Sequence, residues 1–145
     1  MPATRVTPYL VIKGAETAID FYKQVFGAEE LFRLTDPGDG RIGHAELKIG
    51  GSEIYIADEY PDFGALSPDT IGGSPVSLHL SVTDCDGVVE AAERAGAVVL
   101  RKPADQSFGE RTAQVLDPFG HRWFIAQPTE TVAPEEMQRR WEAEA

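Results

Sequence analysis

The sequence has few of the features that mark disulfide-stabilised or membrane proteins. It contains one cysteine, Cys85, among 145 residues, so an internal disulfide is excluded. No apolar run approaches the roughly 18 residues that a membrane-spanning helix needs. The first residues do not show the basic and then apolar pattern of a signal peptide. We therefore expect a cytoplasmic protein that has no membrane partner.

Positive charge is also scarce. The chain has 13 Lys and Arg against 24 Asp and Glu, which gives a formal net charge of -11 at pH 7. Nucleic acids attract clusters of Lys and Arg, and this sequence has none, so we expect no nucleic-acid partner. The hydrophobic content of 42% is ordinary for a globular protein. A chain of this length predicts a single domain, residues 1-145.

The order strand, helix and three strands occurs twice along the chain. In the first module, about residues 5-58, the strand "VTPYLVIKG" precedes a helix that ends at Gly27. The strands "EELFRLT", "GHAELKIG" and "SEIYIAD" follow that helix, separated by turn sequences. The next segment, residues 59-75, is rich in Pro, Gly and Asp. It is predicted to be a loop that acts either as a lid or as a plain linker.

The second module, about residues 76-127, repeats this order. The strand "VSLHLSV" precedes a helix that begins at Thr83 or Asp84 and ends at Gly96. The strands "AVVLRKP", "RTAQVLD" and "HRWFIAQ" complete it. A last helix is predicted over about residues 134-143, because a proline is favoured in the first helical turn. The fold class is therefore α+β, with two βαβββ modules and a C-terminal helix.

The segments "TPYLVIKGAETAIDFYKQVFGAEE", "SLHLSVTDCDGVVEAAERAGA" and "FGERTAQVLDPFGHRW" carry a resemblance to a known family. Together with the repeat, they resemble the vicinal oxygen chelate superfamily of glyoxalase I, extradiol dioxygenases and the bleomycin and fosfomycin resistance proteins. They are most similar to its PhnB-like subgroup. The resemblance implies mixed sheets that curl around a concave cavity, with the helices outside, and it implies a homodimer.

The resemblance also locates a metal site. Metal-dependent members place four ligands, usually His, Glu or Gln, near the start of the first strand and on the last strand of each module. Aligned on "IDFY", the helix-ending glycines and Asp-Pro-x-Gly, these positions fall on Thr7, Tyr55, Ser77 and Phe124. A phenyl ring cannot bind a metal, and neutral hydroxyls bind it weakly. We therefore expect no metal at this position and no cofactor.

Histidines offer polar groups elsewhere. His79 lies two residues after Ser77, so both point to the same, inward face of their strand. His79 is either a functional side chain or a hydrogen-bonded histidine that lines the core. His44 and Glu46 share one face of "GHAELKIG". They either bind a ligand or form a solvated strand face together with Lys48.

Glu110 and Arg111 are adjacent in a predicted strand, which sends them to opposite faces. Arg111 is a candidate for binding an anionic group, and Glu110 is a candidate base; the alternative is an ordinary salt bridge. Trp123 and Phe124 also alternate, so one of them must face the helices. Cys85 lies in a first helical turn, where the helix dipole lowers a thiol pKa, or it is a buried packing residue.

Two function classes follow. The first is a metal-free protein that sequesters a small apolar or aromatic molecule, as resistance members of the family do. The second is a lyase, isomerase or dioxygenase in which a divalent metal has moved to His44, Glu46 and His79. A scaffolding dimer is a third reading. The catalytic candidates are His79 and Glu110. The predicted ligand-binding residues are Tyr9, His44, Glu46, Tyr55, Ser77, His79, Phe108, Arg111 and Phe124.

Overall fold

A computed structural model describes residues 3–145, which divide into two units, the first ending at Ser74 and the second beginning at Pro75. The first unit contains β1 (Tyr9–Ile12), α1 (Ala15–Phe26), β2 (Glu29–Thr35), β3 (Ile42–Ile49) and β4 (Ser52–Asp58). The sheet order is β1-β4-β3-β2, with β1 parallel to β4 and the other pairs antiparallel. The predicted βαβββ order of this module is confirmed.

The second unit repeats the topology. It contains β5 (Ser77–Ser81), the helix Cys85–Arg94, β6 (Val98–Asp105), β7 (Glu110–Leu116) and β8 (Arg122–Pro128). The sheet order is β5-β8-β7-β6, and again only the first pair is parallel. The α+β fold class with two curled, mixed, four-stranded sheets is thus confirmed. The single-domain assignment stays a prediction.

The segment between the modules is more structured than the predicted loop. It holds a short 3₁₀ helix, Pro61–Phe63, and a one-turn helix α2, Pro68–Ile71. Ser67 caps α2 and is fully buried, and its amide and hydroxyl both donate to Glu59, at 2.8 and 3.0 Å. These hydrogen bonds require the specific pairing of Ser67 with Glu59. The amino-acid composition of the segment does not predict such a pairing. The helix Cys85–Arg94 is accordingly α3.

Both module helices end where the sequence predicts. Gly27, after α1, adopts the left-handed conformation, and its amide donates to Tyr22. The side chain of Asp84 caps α3 by accepting from Gly87 at 3.1 Å. Gly96, at a φ of 106°, follows the end of α3. Glycine accepts a positive φ without the steric cost of a Cβ, which explains why it ends both helices.

Each sheet buries one face and leaves the other partly exposed. In β3, Ala45, Leu47 and Ile49 are buried, and in β8 Trp123 and Ile125 are buried. Side chains of a strand alternate between its two faces, so the residues between these buried ones form the opposite face. That opposite face carries the polar and aromatic residues singled out above. The prediction that Trp123 and Phe124 point to different faces is confirmed.

The C-terminal helix α4, Pro134–Glu144, starts at the predicted proline. Arg140 connects it to the rest of the second unit, donating to the carbonyl of Ser107 at 2.8 Å and to Glu130 at 2.6 Å. Within α4, Arg140 also donates to Glu136 at 2.9 Å. No helix among residues 3–145 is long and apolar enough to cross a membrane.

The first prediction concerns pH and α4. Hydrogen bonds from Arg139 and Arg140 lower the pKa of Glu136 from its usual 4.5 to about 2. Because the folded-state pKa is the lower one, this contribution to stability is complete above pH 4.5 and is lost as the pH falls through 2. We expect amide hydrogen exchange across α4 to accelerate over that interval. In Glu136→Gln the exchange of α4 should be faster already at neutral pH, and the acid step should vanish; an unchanged acid step would contradict the assignment.

Candidate functional site

The exposed face of the first sheet carries one row of four side chains. In the strand register Tyr9 lies opposite Tyr55, Tyr55 opposite Glu46, and Glu46 opposite Phe32. Directly paired residues point to the same side of a sheet, so the row crosses β1, β4, β3 and β2 on one face. His44, two residues before Glu46 on β3, shares that face. The structure therefore brings together all four ligand-binding residues that were predicted in this module.

Aromatic rings surround the imidazole of His44. Its centroid lies 5.3 Å from that of Tyr9, 5.1 Å from that of Tyr55 and 5.9 Å from that of Phe32. Tyr9 and Tyr55 contact each other edge to face, at 5.7 Å. Such edge-to-face contacts are attractive because the positive edge of one ring meets the negative face of the next. The rings thus form a cluster that fixes the orientation of His44.

A hydrogen-bonded chain runs through this cluster. The hydroxyl of Tyr9 lies 2.7 Å from Nδ1 of His44, and Nε2 of His44 lies 2.9 Å from Oε2 of Glu46. The His44 and Glu46 side chains retain only 24% and 21% exposure. On the same strand face Lys48 is exposed, whereas His44 and Glu46 are half-buried and hydrogen-bonded to each other. Burial, and then the negative charge of Glu46, raise the pKa of Tyr9.

The second sheet has the equivalent row with different chemistry. His79 lies opposite Phe124, Phe124 opposite Gln114, and Gln114 opposite Arg101. The His79 ring stacks on Phe124 with centroids 5.6 Å apart and planes inclined by 14°. The His79 side chain is 51% exposed, so the description of it as a core-lining histidine is wrong. Ser77 pairs with Arg122 at the start of the same two strands.

Glu110 and Arg111 do point to opposite faces. Glu110 Oε1 lies 4.0 Å from Nε2 of His79, on the side of the row just described. Arg111 instead reaches α3, where its guanidinium donates to both oxygens of Asp86, at 2.9 and 3.0 Å, and also to Asp105 at 3.2 Å. These two carboxylates raise the pKa of Arg111. The placement of Arg111 among the ligand-binding residues is corrected: its donors are engaged by a salt bridge.

A cavity of about 260 Å³ lies over the exposed side of the second sheet. Its lining includes the rings of Phe108 and Phe124, the polar side chains of Thr112 and Gln114, and the cations Arg101 and Lys102. Neither cation pairs with an acidic side chain within residues 3–145. Sequence reasoning missed Arg101 and Gln114. Aligning the two repeats would have identified them, because Arg101 is equivalent to Phe32 and Gln114 is equivalent to Glu46.

Phe108 belongs to two cavities of the second unit. Besides lining the first, it borders a cleft of about 420 Å³ between α4 and the turn that joins β6 to β7. Met137 and Trp141 of α4 form the other side of that cleft. The side chain of Phe108 is thus shared by a sheet cavity and a helix cleft.

The positions that correspond to metal ligands in the resembled family do not fit a metal. Thr7 precedes β1, Tyr55 belongs to the aromatic cluster, and Phe124 stacks on His79. Hydroxyl groups and a phenyl ring do not make a donor set for a divalent ion. Across residues 3–145, no group of three or more His, Cys, Asp or Glu side chains is arranged to hold a metal ion.

Cys85 is not an activated nucleophile. It is fully buried at the start of α3, and its thiol donates to the carbonyl of Ile125 at 3.7 Å. Burial, followed by the charge of Asp86, raises the pKa of the thiol. The expectation that the helix dipole lowers this pKa is wrong, because desolvation outweighs it. The alternative of a packing residue is confirmed.

Comparisons with known proteins identify the family and the fold. The family model described as the glyoxalase/bleomycin resistance protein/dioxygenase superfamily matches residues 5–125. An uncharacterised protein of Mycobacterium bovis is 41% identical over 136 residues, which cover 92% of this chain and 89% of the relative. The X-ray structure of a gene product from Arabidopsis thaliana has a TM-score of 0.68 at 27% identity and covers 86% of this chain and 99% of that one. The PhnB protein from Bacillus cereus has the same TM-score at 19% identity, with coverages of 86% and 99%.

Proposed function

This chain belongs to the glyoxalase/bleomycin resistance protein/dioxygenase superfamily, and from that premise we propose that it binds a small aromatic compound without a metal centre. The observation that carries the proposal is the cavity of the second sheet, in which the Phe124 ring lies near the unpaired cations Arg101 and Lys102. Binding sites of this kind join apolar walls with a few polar groups that fix the orientation of the ligand.

The lining also suggests what the compound looks like. A volume of about 260 Å³ is slightly below that of drug-sized pockets, which suits a compound of one or two rings. Phe124 and Phe108 offer ring faces and edges for stacking. The planar guanidinium of Arg101 suits a carboxylate or phenolate. Together with Lys102 it supplies local positive charge in a chain whose net charge of -11 otherwise repels anions. We therefore favour an aromatic anion over a purely apolar ligand.

The proposal is one of sequestration without turnover. We place the chain in the PhnB-like subgroup on the strength of its sequence motifs, since the likeness to the Bacillus cereus protein at 19% identity shows the fold alone. Relocation of a metal to other residues is the weaker alternative, because no suitable group of ligands occurs among the described residues. Because this fold hosts many chemistries, the choice between sequestration and metal-dependent catalysis rests on the site residues.

The second prediction tests the cavity with ring and charge variants. We expect one- and two-ring aromatic carboxylates to bind saturably in isothermal titration calorimetry. Phe124→Ala should weaken binding about tenfold, the effect of losing one stacked ring and its buried area. Arg101→Gln should weaken carboxylates by a similar factor but leave the corresponding neutral amides nearly unchanged.

Phe63→Ala is the matched control, because Phe63 is 86% exposed and belongs to the other unit. It should bind every compound as the wild type does. Equal weakening of carboxylates and amides by Arg101→Gln would argue against an anionic ligand. Equal affinity of Phe124→Ala and Phe63→Ala, or chemical conversion of a bound compound by the metal-free protein, would overturn the proposed function.

A further inference from the structure

The first unit contains a chain of hydrogen bonds that the proposed binding cavity does not use. It links the hydroxyl of Tyr9 to Nδ1 of His44 at 2.7 Å and Nε2 of His44 to Glu46 at 2.9 Å. One histidine thus contacts a phenol through one nitrogen and a carboxylate through the other. Tyr9 lies on β1, and His44 and Glu46 lie on β3, so the contact between Tyr9 and His44 depends on how the sheet is assembled and not on local sequence.

The chemistry of the three groups fixes the direction of the chain. A carboxylate can only accept, so Nε2 of His44 carries the hydrogen and donates it to Glu46. In a neutral imidazole Nδ1 is then the acceptor, and the hydroxyl of Tyr9 donates to it. Glu46 therefore selects the tautomer that lets His44 receive a proton from Tyr9. The pKa of Tyr9 is raised by burial and by Glu46, so the phenol keeps its proton at rest.

One end of the chain is open. Tyr9 is 49% exposed, whereas the His44 and Glu46 side chains are 24% and 21% exposed. The hydroxyl hydrogen of Tyr9 is donated to His44. The lone pairs of the Tyr9 oxygen therefore remain able to accept a hydrogen bond from a molecule at the surface. The rings of Tyr55 and Phe32 border the same face. A planar molecule resting on these rings would meet the oxygen of Tyr9 with its edge.

We infer that Tyr9, His44 and Glu46 form a proton relay that accepts a proton from a weakly acidic hydroxyl, a phenol or an enol, of an aromatic compound. The hydroxyl of the compound gives its proton to the oxygen of Tyr9, while the original proton of Tyr9 passes to Nδ1 of His44. The products are the anion of the compound, hydrogen-bonded by Tyr9, and an imidazolium paired with Glu46. No metal, oxidant or further reactant takes part, and charge and protons balance.

The three residues have different roles in this relay. Tyr9 is the only one that touches the compound. His44 receives the proton through Tyr9, and Glu46 is a positioning residue that holds the tautomer and stabilises the imidazolium. The aromatic cluster keeps water away from one side of the imidazole, which strengthens its interaction with Glu46.

The third prediction uses 4-nitrophenol, whose neutral and ionised forms have different visible spectra. On binding to the wild type, we expect the ionised fraction of the probe to rise at a pH where the free probe is mostly neutral. Tyr9→Phe and His44→Gln should abolish that rise, and Glu46→Gln should reduce the ionisation equilibrium about tenfold, the equivalent of one pKa unit. Tyr60→Phe is the matched control, because it removes a phenol of the same unit whose hydroxyl contacts Asp36 and not the relay.

A second readout is independent of binding. Nitrogen chemical shifts of His44 should report hydrogen on Nε2 in the wild type and a mixture of tautomers in Glu46→Gln. A hydrogen on Nδ1 in the wild type would overturn the relay, because Tyr9 could then not donate to it. A bound probe that stays neutral, or one that ionises equally in His44→Gln, would overturn it as well. Failure of the probe to bind the wild type would also count against the relay, because 4-nitrophenol supplies both the ring and the weakly acidic hydroxyl that the relay requires.

The same variants distinguish the relay from the binding cavity of the second sheet. An ionisation signal that survives Arg101→Gln but is lost in Tyr9→Phe belongs to the first unit and supports the relay. A signal that is lost in Arg101→Gln and kept in Tyr9→Phe belongs to the cavity, which overturns the relay and leaves the proposed function in place. If the wild type shows the ionisation signal but binds no aromatic carboxylate, the proposed function is overturned and the relay stays in place.

Discussion

Replacing Asp117 by alanine is expected to lower the free energy of unfolding by about 3 to 5 kcal/mol, the order expected when a buried carboxylate that accepts three hydrogen bonds is removed. Asp117 is 3% exposed and sits in the turn between β7 and β8. One of its oxygens accepts from the amides of Phe119 and His121, at 2.9 and 3.0 Å. The other accepts from the indole of Trp123 at 2.9 Å. Alanine would remove the carboxylate that accepts all three of these hydrogen bonds.

Two milder variants separate the turn from the indole. Asp117→Asn keeps an oxygen for the two amides but turns an amide hydrogen toward Trp123, so it should cost less than alanine. Trp123→Phe removes the indole donor, and adding it to Asp117→Asn should cost less than the sum of the two single changes. Urea unfolding measures all four proteins. A cost below about 1 kcal/mol for Asp117→Ala, the value of an ordinary exposed hydrogen bond, would contradict the network.

The same turn shows what the sequence predicts well. "DPFGHRWFIA" contains turn residues followed by alternating large side chains, so a hairpin and the opposite orientations of Trp123 and Phe124 follow from local rules. The two helices follow equally from apolar spacing and from Gly27 and Gly96. These features depend on residues that are close in sequence. Local rules therefore predict both modules with nearly correct boundaries.

The contacts of the candidate site were harder to predict from the sequence, because they join residues that are distant along the chain. Arg111 was expected to bind an anion, yet it pairs with Asp86, which lies on α3 and is 25 residues away in sequence. Tyr9 and His44 are 35 residues apart. The alternation of side chains along a strand predicts which face of the sheet each one occupies. Which residue of another strand lies beside it depends on the register between the strands. The face of Arg111 was thus predictable, and its partner was not.

The internal repeat carries information that single residues do not. The row across the first sheet ends in an acid and a phenyl ring, Glu46 and Phe32, and the equivalent row across the second ends in an amide and a guanidinium, Gln114 and Arg101. The two equivalent rows thus carry charge of opposite sign, at different positions: Glu46 in the first and Arg101 in the second. This divergence is the reason to assign proton transfer to the first unit and anion binding to the second.

Replacing Gly109 by alanine is expected to detach the segment that leads to α4. Gly109 has a φ of 94°, and a Cβ there would lie 2.5 Å from the carbonyl oxygen of Glu130 and 3.0 Å from Val132. The carbonyl of Gly109 accepts from the amides of Thr129 and Glu130, at 2.8 and 3.2 Å. Backbone atoms cannot rotate away as a side-chain end can. Strain and overpacking each cost about 1 to 3 kcal/mol, so we expect a loss of about 3 to 5 kcal/mol.

Gly96→Ala is the matched control for this change. Gly96 also has a positive φ, 106°, but the nearest atom to its added Cβ is a side-chain carbon of Pro118 at 3.5 Å, an ordinary contact. It should therefore show the backbone cost alone, about 1 to 3 kcal/mol. Hydrogen exchange at the amides of Thr129 and Glu130 should accelerate in Gly109→Ala and not in Gly96→Ala. Equal costs and unchanged exchange would mean that the segment moves aside freely, and the connection to α4 would then rest on Arg140.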